Sequence, residues 1–253
     1  MLISVAQFQL FFLALTRVLA IMVQMPFIGG ALVPNKFKLA LGVTLTMIIV
    51  PWQSLSSDQA ITPLLPFVFA ILREMIIGLL AGFAVNLTFG AFQMAGKLME
   101  VGSGFSAGQI FNPTLGEMSS SYDQLFMMIL FIYFFSVDGH HAFIVGLTKT
   151  FEVLPVGASV AGLSPDRLLR IFAQLISSAF QMALPIMGAI LLADLTLGLL
   201  AKVAPQIQVF FLGLPVKVWM GIFALGLSFT VLIPVAGRII KAMGPRMIEI
   251  LGI

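Results

Sequence analysis

The chain has 253 residues, of which 60% are hydrophobic and 9% are charged, and its formal net charge is +3. This positive charge is small and scattered, without a run of Lys or Arg, so we expect no nucleic acid among the partners. Cysteine is absent, which excludes disulfides, thiolate metal ligands and thiol nucleophiles. No polar stretch is long enough for a separate soluble domain, and we predict a single domain over residues 1–253.

Four stretches without a charged residue indicate a helical membrane protein. They are Leu39–Ser57, Met75–Gly96, Ile171–Ala193 and Val218–Gly237. Each is close to the ~20 residues that cross a hydrocarbon core of roughly 30 Å. A chain in hydrocarbon must satisfy its own backbone polar groups, as a helix or a closed barrel does. Continuous apolar runs favour helices, because barrel strands alternate over ~10 residues.

Pro and Gly clusters divide the chain into about six apolar segments. In chain order they are roughly Phe8–Phe27, Lys38–Ile49, Pro63–Met99, Gln124–Val137, Pro165–Ala204 and Pro215–Ile233. The polar stretch Ser54–Thr62 is predicted to be a turn between the second and third segments. The first segment lacks a positive n-region and an A-x-A-like cleavage site, so we interpret it as a retained helix and not as a signal peptide.

The segment lengths do not fit an ordinary bundle of membrane spans. At ~1.5 Å per residue, a helix over Leu64–Gly96 would be about 50 Å long, and Gln124–Val137 would be only about 21 Å long. Lys36, Lys38 and the basic C-terminal tail favour a cytoplasmic position for the first turn and for the C-terminus, which requires an odd number of crossings. We therefore expect a re-entrant, broken or protein-packed segment, surrounded by protein or by a water-filled cavity.

Several charged residues lie in or beside the apolar segments. They are Arg17, Arg73, Glu74, Asp194, Lys202 and Lys217. A charge inside a membrane costs at least ~2.5 kcal/mol, so we expect each to face protein or water. A proton or ion relay through Glu74 and Asp194 is one hypothesis, and pairing with a partner helix, which we favour, is the other. Arg73 and Glu74 are neighbours and point about 100° apart on a helix, so they cannot simply neutralise one another.

The segment Lys97–Tyr122, which we call the Gly-rich turn, is the most polar and glycine-rich part of the chain. Its G-x-G-x-x-x-G spacing does not match a dinucleotide fingerprint, and no G-K-[ST] is present for a P-loop. An exposed connector is one interpretation of this segment. Phe105, Ile110 and Phe111 are bulky for such a connector, and glycines permit a backbone that folds tightly or moves. A loop of this kind could fill a pore.

No motif in the chain indicates catalysis or metal binding. His140 and His141 are the only histidines, and neighbouring histidines on a helix diverge. An H-E-x-x-H pattern is absent, which favours a polar cluster at a helix end over a metal site. No G-x-S-x-G elbow or Ser-His-Asp arrangement stands out. We therefore expect no enzyme, no catalytic residue, no metal site and no cofactor.

The longer motifs resemble a known family. ADLTLGLLAKVAPQIQVFFLGLPVKV (Ala193–Val218) strongly resembles the signature of the FliR family of flagellar export-gate proteins. KLMEVGSGFSAGQIFNPTLGE and FFSVDGHHAFIVG resemble other blocks of that family, in its order and at its spacing. FLALTRVLAIMVQMPFIGGALVPNKFKLALG matches its N-terminal pattern. The resemblance covers essentially the whole chain.

The resemblance implies a subunit of the type III protein export gate, in the bacterial cytoplasmic (inner) membrane at the flagellar basal body. It would assemble with the FliP and FliQ proteins, with FlhB nearby, and exported flagellar proteins would be its substrates. The family's gate is a closed helical assembly around a central channel, much of it above the membrane plane. The expected fold is an all-α integral membrane protein, with about six long or broken apolar helices forming irregular hairpins in a hetero-oligomeric gate.

In the family, the Gly-rich turn contributes to a plug that closes the channel. Carried onto this chain, the plug positions are Gly102, Gly104, Phe105, Ser106, Gly108, Phe111, Asn112 and Pro113. Two alternatives stay open. One is the homologous subunit of a virulence type III secretion injectisome. The other is a small-solute secondary transporter, which would require inverted repeats that we do not see.

Overall fold

The computed structural model describes residues 5–30, 33–49, 63–104, 121–158, 165–206 and 208–252. Over these ranges the regular elements are helices, and no strand occurs among them. The helices are α1 (Val5–Gln24), α2 (Pro26–Gly29), α3 (Asn35–Ile49), α4 (Leu64–Ser103), α5 (Ser121–Ser136), α6 (Gly139–Val153), α7 (Pro165–Val203), α8 (Val209–Lys241) and α9 (Met243–Glu249). The predicted all-α fold is confirmed. The predicted turn Ser54–Thr62 lies outside the described residues.

Proline positions explain where one prediction of helix bounds succeeds and another fails. Pro165 begins α7, where its fixed φ suits a first helical position and its missing N–H is not needed. The last segment was expected to run from Pro215 to Ile233, but α8 continues on both sides, with Pro215 and Pro234 inside it. One residue before the second of these prolines, the Tyr133 hydroxyl donates to the Ile233 carbonyl at 2.8 Å, which joins α5 to α8. The carbonyl that Pro234 leaves without its helical donor is that of Thr230, four residues earlier.

Helix α6 is an element that the apolar segments did not include. It follows α5 after the two residues Val137 and Asp138. Asp138 has φ +56°, in the left-handed region that Asp tolerates better than most residues. His140 and His141 lie in the first turn of α6, in the helix-end position that the sequence favoured.

Among the described residues, four helices are long and apolar enough to cross a membrane. They are Val5–Gln24, Leu64–Ser103, Asp166–Val203 and Phe211–Lys241. Gln124–Ser136 and Gly139–Val153 meet the same criterion only as a pair, as expected for a broken segment. Counting that pair as one crossing gives up to five, an odd number, as the basic residues require. With 40 residues, α4 is about 60 Å long at ~1.5 Å per residue, far more than a hydrocarbon core needs.

The chain divides into two compact units. Unit 1 comprises Met1–Phe89, His140–Phe172 and Lys241–Ile253. Its core side chains come from α1, α4, α6 and α9 and include Leu13, Val18, Ile21, Met22, Ile77, Ala81, Val85, Leu147, Met243 and Met247. Unit 2 comprises Gly90–Gly139 and Ala173–Ile240. Its core side chains come from α4, α5, α7 and α8 and include Phe92, Ala95, Met99, Phe126, Leu130, Phe134, Met182, Ile186 and Leu232.

In unit 1, α1 and α4 cross closely at two glycines four residues apart. A Cβ added at Gly78 would lie 2.6 Å from the Arg17 carbonyl oxygen and 2.6 Å from the Ala20 Cβ. A Cβ added at Gly82 would lie 2.9 Å from the Gln24 Cβ. This G-x-x-x-G spacing lets two apolar helices approach at backbone distance. At this crossing, the Arg17 backbone on α1 lies next to Gly78, near the start of the charge-free stretch Met75–Gly96.

Replacing Gly78 with Leu should therefore destabilise unit 1, because the new side chain would push α1 away from α4. Overpacking of this kind costs ~1–3 kcal/mol, occasionally more. Gly188→Leu is a matched control, since a Cβ added at Gly188 meets no atom within 4 Å. We expect the Gly78 variant to unfold at a clearly lower temperature in detergent and the control to stay close to the parent protein. Equal midpoint temperatures of unfolding for the two variants would contradict this prediction.

Candidate functional site

The most deeply buried charges form an ion pair in unit 1. Arg17 lies in the middle of α1 and Glu74 in the first half of α4, and both side chains are 0% exposed. The Arg17 Nε donates to Glu74 Oε2 at 2.6 Å. Since both groups are removed from water, the desolvation cost is large, and the pair needs further hydrogen bonds to be stable.

Backbone groups supply most of these hydrogen bonds. The Arg17 Nη1 donates to the carbonyl oxygens of Thr150 at 3.0 Å and Leu154 at 2.6 Å, at the C-terminal end of α6. The Phe151 ring centroid lies 4.5 Å from Arg17 Cζ, within range of a cation–π contact. Arg17 Nη2 is buried and has no hydrogen-bond partner among the described residues.

The remaining carboxylate oxygen holds the turn that follows α6. Gly157 N–H donates to Glu74 Oε1 at 2.8 Å, and Gly157 has φ +86°, which few other residues adopt. The Arg73 Nη1 donates to the Gly157 carbonyl oxygen at 3.1 Å from an exposed position. The neighbours Arg73 and Glu74 thus both reach Gly157, where Arg73 binds the carbonyl oxygen and Glu74 binds the N–H. The network joins α1, α4, the end of α6 and its following turn.

The sequence singled out Arg17, Arg73 and Glu74 but not their partners. The structure supplies a partner for each of them within the chain itself. A role of these residues inside a membrane or between subunits stays a prediction. Sequence reasoning missed Phe151 and Gly157 and the carbonyls at the end of α6, because a backbone acceptor has no signature of its own. The stretch Leu154–Ala158, with its Pro and Gly, carried only a general turn signal.

A second ion pair lies in unit 2, between α7 and α8. Lys217 Nζ is 2.5 Å from Asp194 Oδ1, and the two side chains are 28% and 44% exposed. A pair with this much solvent contact contributes roughly 0–1 kcal/mol. Lys202, the third charge predicted here, is exposed in the last turn of α7, and within the described residues it forms no ion pair. The structure therefore joins two of these three charges, and their role between subunits stays a prediction.

The structure describes the two ends of the Gly-rich turn. Gly104 follows α4 with φ +75°, the left-handed conformation in which glycine commonly ends a helix. Its N–H points to the Val101 carbonyl at 3.4 Å. Gly102, within the last helical turn, packs towards α7, where a Cβ added to it would lie 3.4 Å from Ile190 Cδ1.

Most of the predicted plug lies beyond these ends. Phe105, Ser106, Gly108, Phe111, Asn112 and Pro113 are outside the described residues. Across the ranges that are described, no group of three or more His, Asp or Glu side chains is arranged to hold a metal ion. The plug assignment stays a prediction.

Comparison with known proteins places the chain in a family. A family model described as "Bacterial export proteins, family 1" matches residues 8–243. The chain belongs to this family. The matched range contains the buried Arg17–Glu74 pair. It also contains most or all of each of the four described helices that are long and apolar enough to cross a membrane.

Individual relatives cover most of the chain. The flagellar biosynthetic protein FliR of Pectobacterium carotovorum is 28% identical over 244 residues, which is 95% of this chain and 92% of the relative. FliR of Escherichia coli is 30% identical over 217 residues, covering 84% and 81% respectively. The secretion system apparatus protein SsaT of Salmonella typhimurium is 32% identical over 160 residues, covering 62% and 61%. The predicted resemblance to FliR is confirmed.

Proposed function

We propose that this chain is a subunit of the flagellar type III export gate in the bacterial cytoplasmic membrane. The observation that carries the proposal is the similarity to flagellar biosynthetic proteins FliR along nearly the full length of both chains. The family model matches residues 8–243, a range that includes both the buried charge network and the two ends of the Gly-rich turn. With FliP and FliQ, and with FlhB nearby, the chain would form a channel for unfolded flagellar proteins.

The exposed surface supports an assembly with other chains. Large apolar side chains are exposed along α7 and α8, among them Leu192, Leu199, Phe211, Trp219 and Phe223. Apolar patches of more than a few hundred Å² mark contacts with protein or membrane. Because α4 alone is about twice as long as a hydrocarbon core is thick, part of its length must lie outside the lipid.

A virulence secretion apparatus is the second candidate. The similarity to SsaT supports it, with 32% identity. That similarity extends over 62% of this chain, whereas the similarity to a flagellar relative extends over 95%. The broader coverage favours the flagellar role.

Deleting the gene should abolish flagellar filaments and the secretion of hook and filament proteins, because the export channel would be incomplete. Uptake of small solutes should stay normal. The measurement is the amount of hook and filament protein in culture supernatants, with the intact gene restored on a plasmid as the control. Loss of motility with filaments still present would point instead to a motor or ion-conducting role. Normal secretion in the deletion strain would contradict the proposed function.

A further inference from the structure

Helix α4 changes the chemistry of its exposed face along its length. Up to Leu79, the exposed residues include many large apolar side chains, such as Phe69, Leu72 and Ile76. In the part of α4 that belongs to unit 2, the exposed residues are Gln93, Lys97 and Val101, and all others are buried or half-buried. Residues at this four-residue spacing lie on one face of a helix. The only exposed face of α4 in unit 2 is therefore narrow, and two of its three residues are polar.

This face forms one wall of a groove in unit 2. The groove has a volume of about 530 Å³ and is lined by Gly90, Gln93, Met94, Lys97, Leu98, Val101 and Gly102 of α4 and by Met187 of α7. From Gly90 to Gly102, α4 rises about 18 Å at ~1.5 Å per residue. A stretch of five or six extended residues has the same length at ~3.3 Å per residue. The groove ends at Gly102, where the Gly-rich turn begins to leave α4.

Lys97 brings a positive charge into this groove. Lys97 forms no ion pair within the described residues, and no carboxylate belongs to the residues that line the groove. Glu100, three residues further along α4 and therefore next to Lys97 on the helix surface, is buried. The exposed ammonium group of Lys97 can thus meet a carboxylate of an occupant, while Leu98, Val101 and the two methionines offer apolar contacts.

From these observations we infer that the groove faces the aqueous export path and binds the passing polypeptide in extended form, with a preference for acidic segments. The inference rests on the proposed function, since it needs an unfolded chain to pass. The Gln93 amide both donates and accepts hydrogen bonds, as an extended backbone requires. The Met94 and Met187 thioethers adapt to side chains of different shape. Lys97 supplies the charge that attracts carboxylates.

The chain has no cysteine, so single cysteines can test the inference in the assembled gate. We expect Gln93→Cys and Lys97→Cys to react with a membrane-impermeant maleimide in isolated membranes. A substrate that carries a folded C-terminal domain would stall in the channel, and a cysteine in its unfolded part should then form a disulfide with either position. Leu192→Cys, exposed on the apolar side of α7, is the control, and it should form no disulfide with the substrate.

Charge reversal gives an independent measurement. Lys97→Glu should slow export of a reporter with an acidic segment roughly fivefold relative to a neutral reporter, as expected for a single solvent-exposed charge contact. Lys97→Gln should give a smaller difference in the same direction. Equal slowing of both reporters by Lys97→Glu would overturn the preference for acidic segments.

Two results would overturn the inference while the proposed function stands. One is a gate that exports normally but whose cysteines at 93 and 97 do not react with maleimide, because lipid or a partner helix then covers the groove. The other is reaction with maleimide but no disulfide with a stalled substrate. Failure of the proposed function itself would show separately, as normal secretion in the deletion strain.

Discussion

Replacing Arg17 with Ala should unfold most of the protein at temperatures where the parent chain is stable. Among the described residues, the substitution leaves the buried Glu74 carboxylate with the Gly157 N–H as its one partner, and it removes the Arg17 donor to the carbonyls of Thr150 and Leu154. Removing one partner of a buried ion pair costs about 3–5 kcal/mol. Native proteins are stable by only about 5–15 kcal/mol, so this loss is a large fraction of the total.

Arg73→Ala provides the matched control, because Arg73 binds the same glycine from an exposed position. We expect it to change the free energy of unfolding by less than about 1 kcal/mol. Protease resistance and thermal unfolding in detergent measure both variants. Similar stabilities of the Arg17 and Arg73 variants would contradict the prediction.

The double variant Arg17→Met and Glu74→Met separates the burial of charge from the hydrogen bonds to the backbone. Removing both charges relieves the cost of an unpaired buried ion, so the double variant should be more stable than Arg17→Ala. It should still be less stable than the parent chain, because the Leu154 carbonyl and the Gly157 N–H lose their partners. The Thr150 carbonyl keeps the Leu154 N–H, which donates to it at 3.1 Å. A double variant no better than Arg17→Ala would show that the backbone contacts, and not the ion pair, carry the stabilisation.

The sequence predicted best two long helices, α4 and α7, that contain long runs without charge. The predicted segment Pro165–Ala204 differs from α7 by one residue at its end, and Pro63–Met99 lies within a few residues of α4. These helices contain long runs without charge, and a proline stands at or just before their start. Such runs are recognised without knowledge of what the helix contacts.

Helix α6 was missed for a physical reason. It buries one face, formed by Phe143, Leu147 and Thr150, and exposes polar residues such as His141 and Lys149. A search for continuous apolar runs does not find an amphipathic helix, whose signal is a period of 3.6 residues. The ion-pair partner of Arg17 could not be predicted from the sequence either, because Glu74 lies 57 residues away along the chain. The other contacts of Arg17 are carbonyls, whose positions depend on the fold.

Deleting Phe105–Gly108 should leave the gate assembled but leaky to ions and small solutes. The Gly-rich turn is proposed to close the channel, and its aromatic residues Phe105 and Phe111 would exclude water and ions. A wider deletion that starts at Val101 would also remove residues that pack in unit 2. Ser103 is buried against the Gly221 position on α8, and Gly102 packs towards Ile190. The shorter deletion keeps these contacts, so a leak would not result from a damaged unit 2.

The leak is measured with a membrane-potential dye and by entry of a small solute, alongside purification of the intact complex. The paired substitution Phe105→Ala and Phe111→Ala should give a milder leak of the same kind, since smaller side chains fill less of the channel. Phe223→Ala, at an exposed position of α8, controls for the loss of an aromatic ring elsewhere and should leave the membrane tight.

Single cysteines at 105 or 111 test the movement of the turn, because the native chain contains no other thiol. They should react with a thiol reagent when a stalled substrate occupies the channel and much less when the channel is empty. The physical reason is that a plug must hold the resting membrane potential and yet yield to an incoming chain, and glycines at 102, 104 and 108 lower the cost of reshaping the backbone. If the deletion assembles normally and the membrane stays tight, the turn is a connector and the seal lies elsewhere.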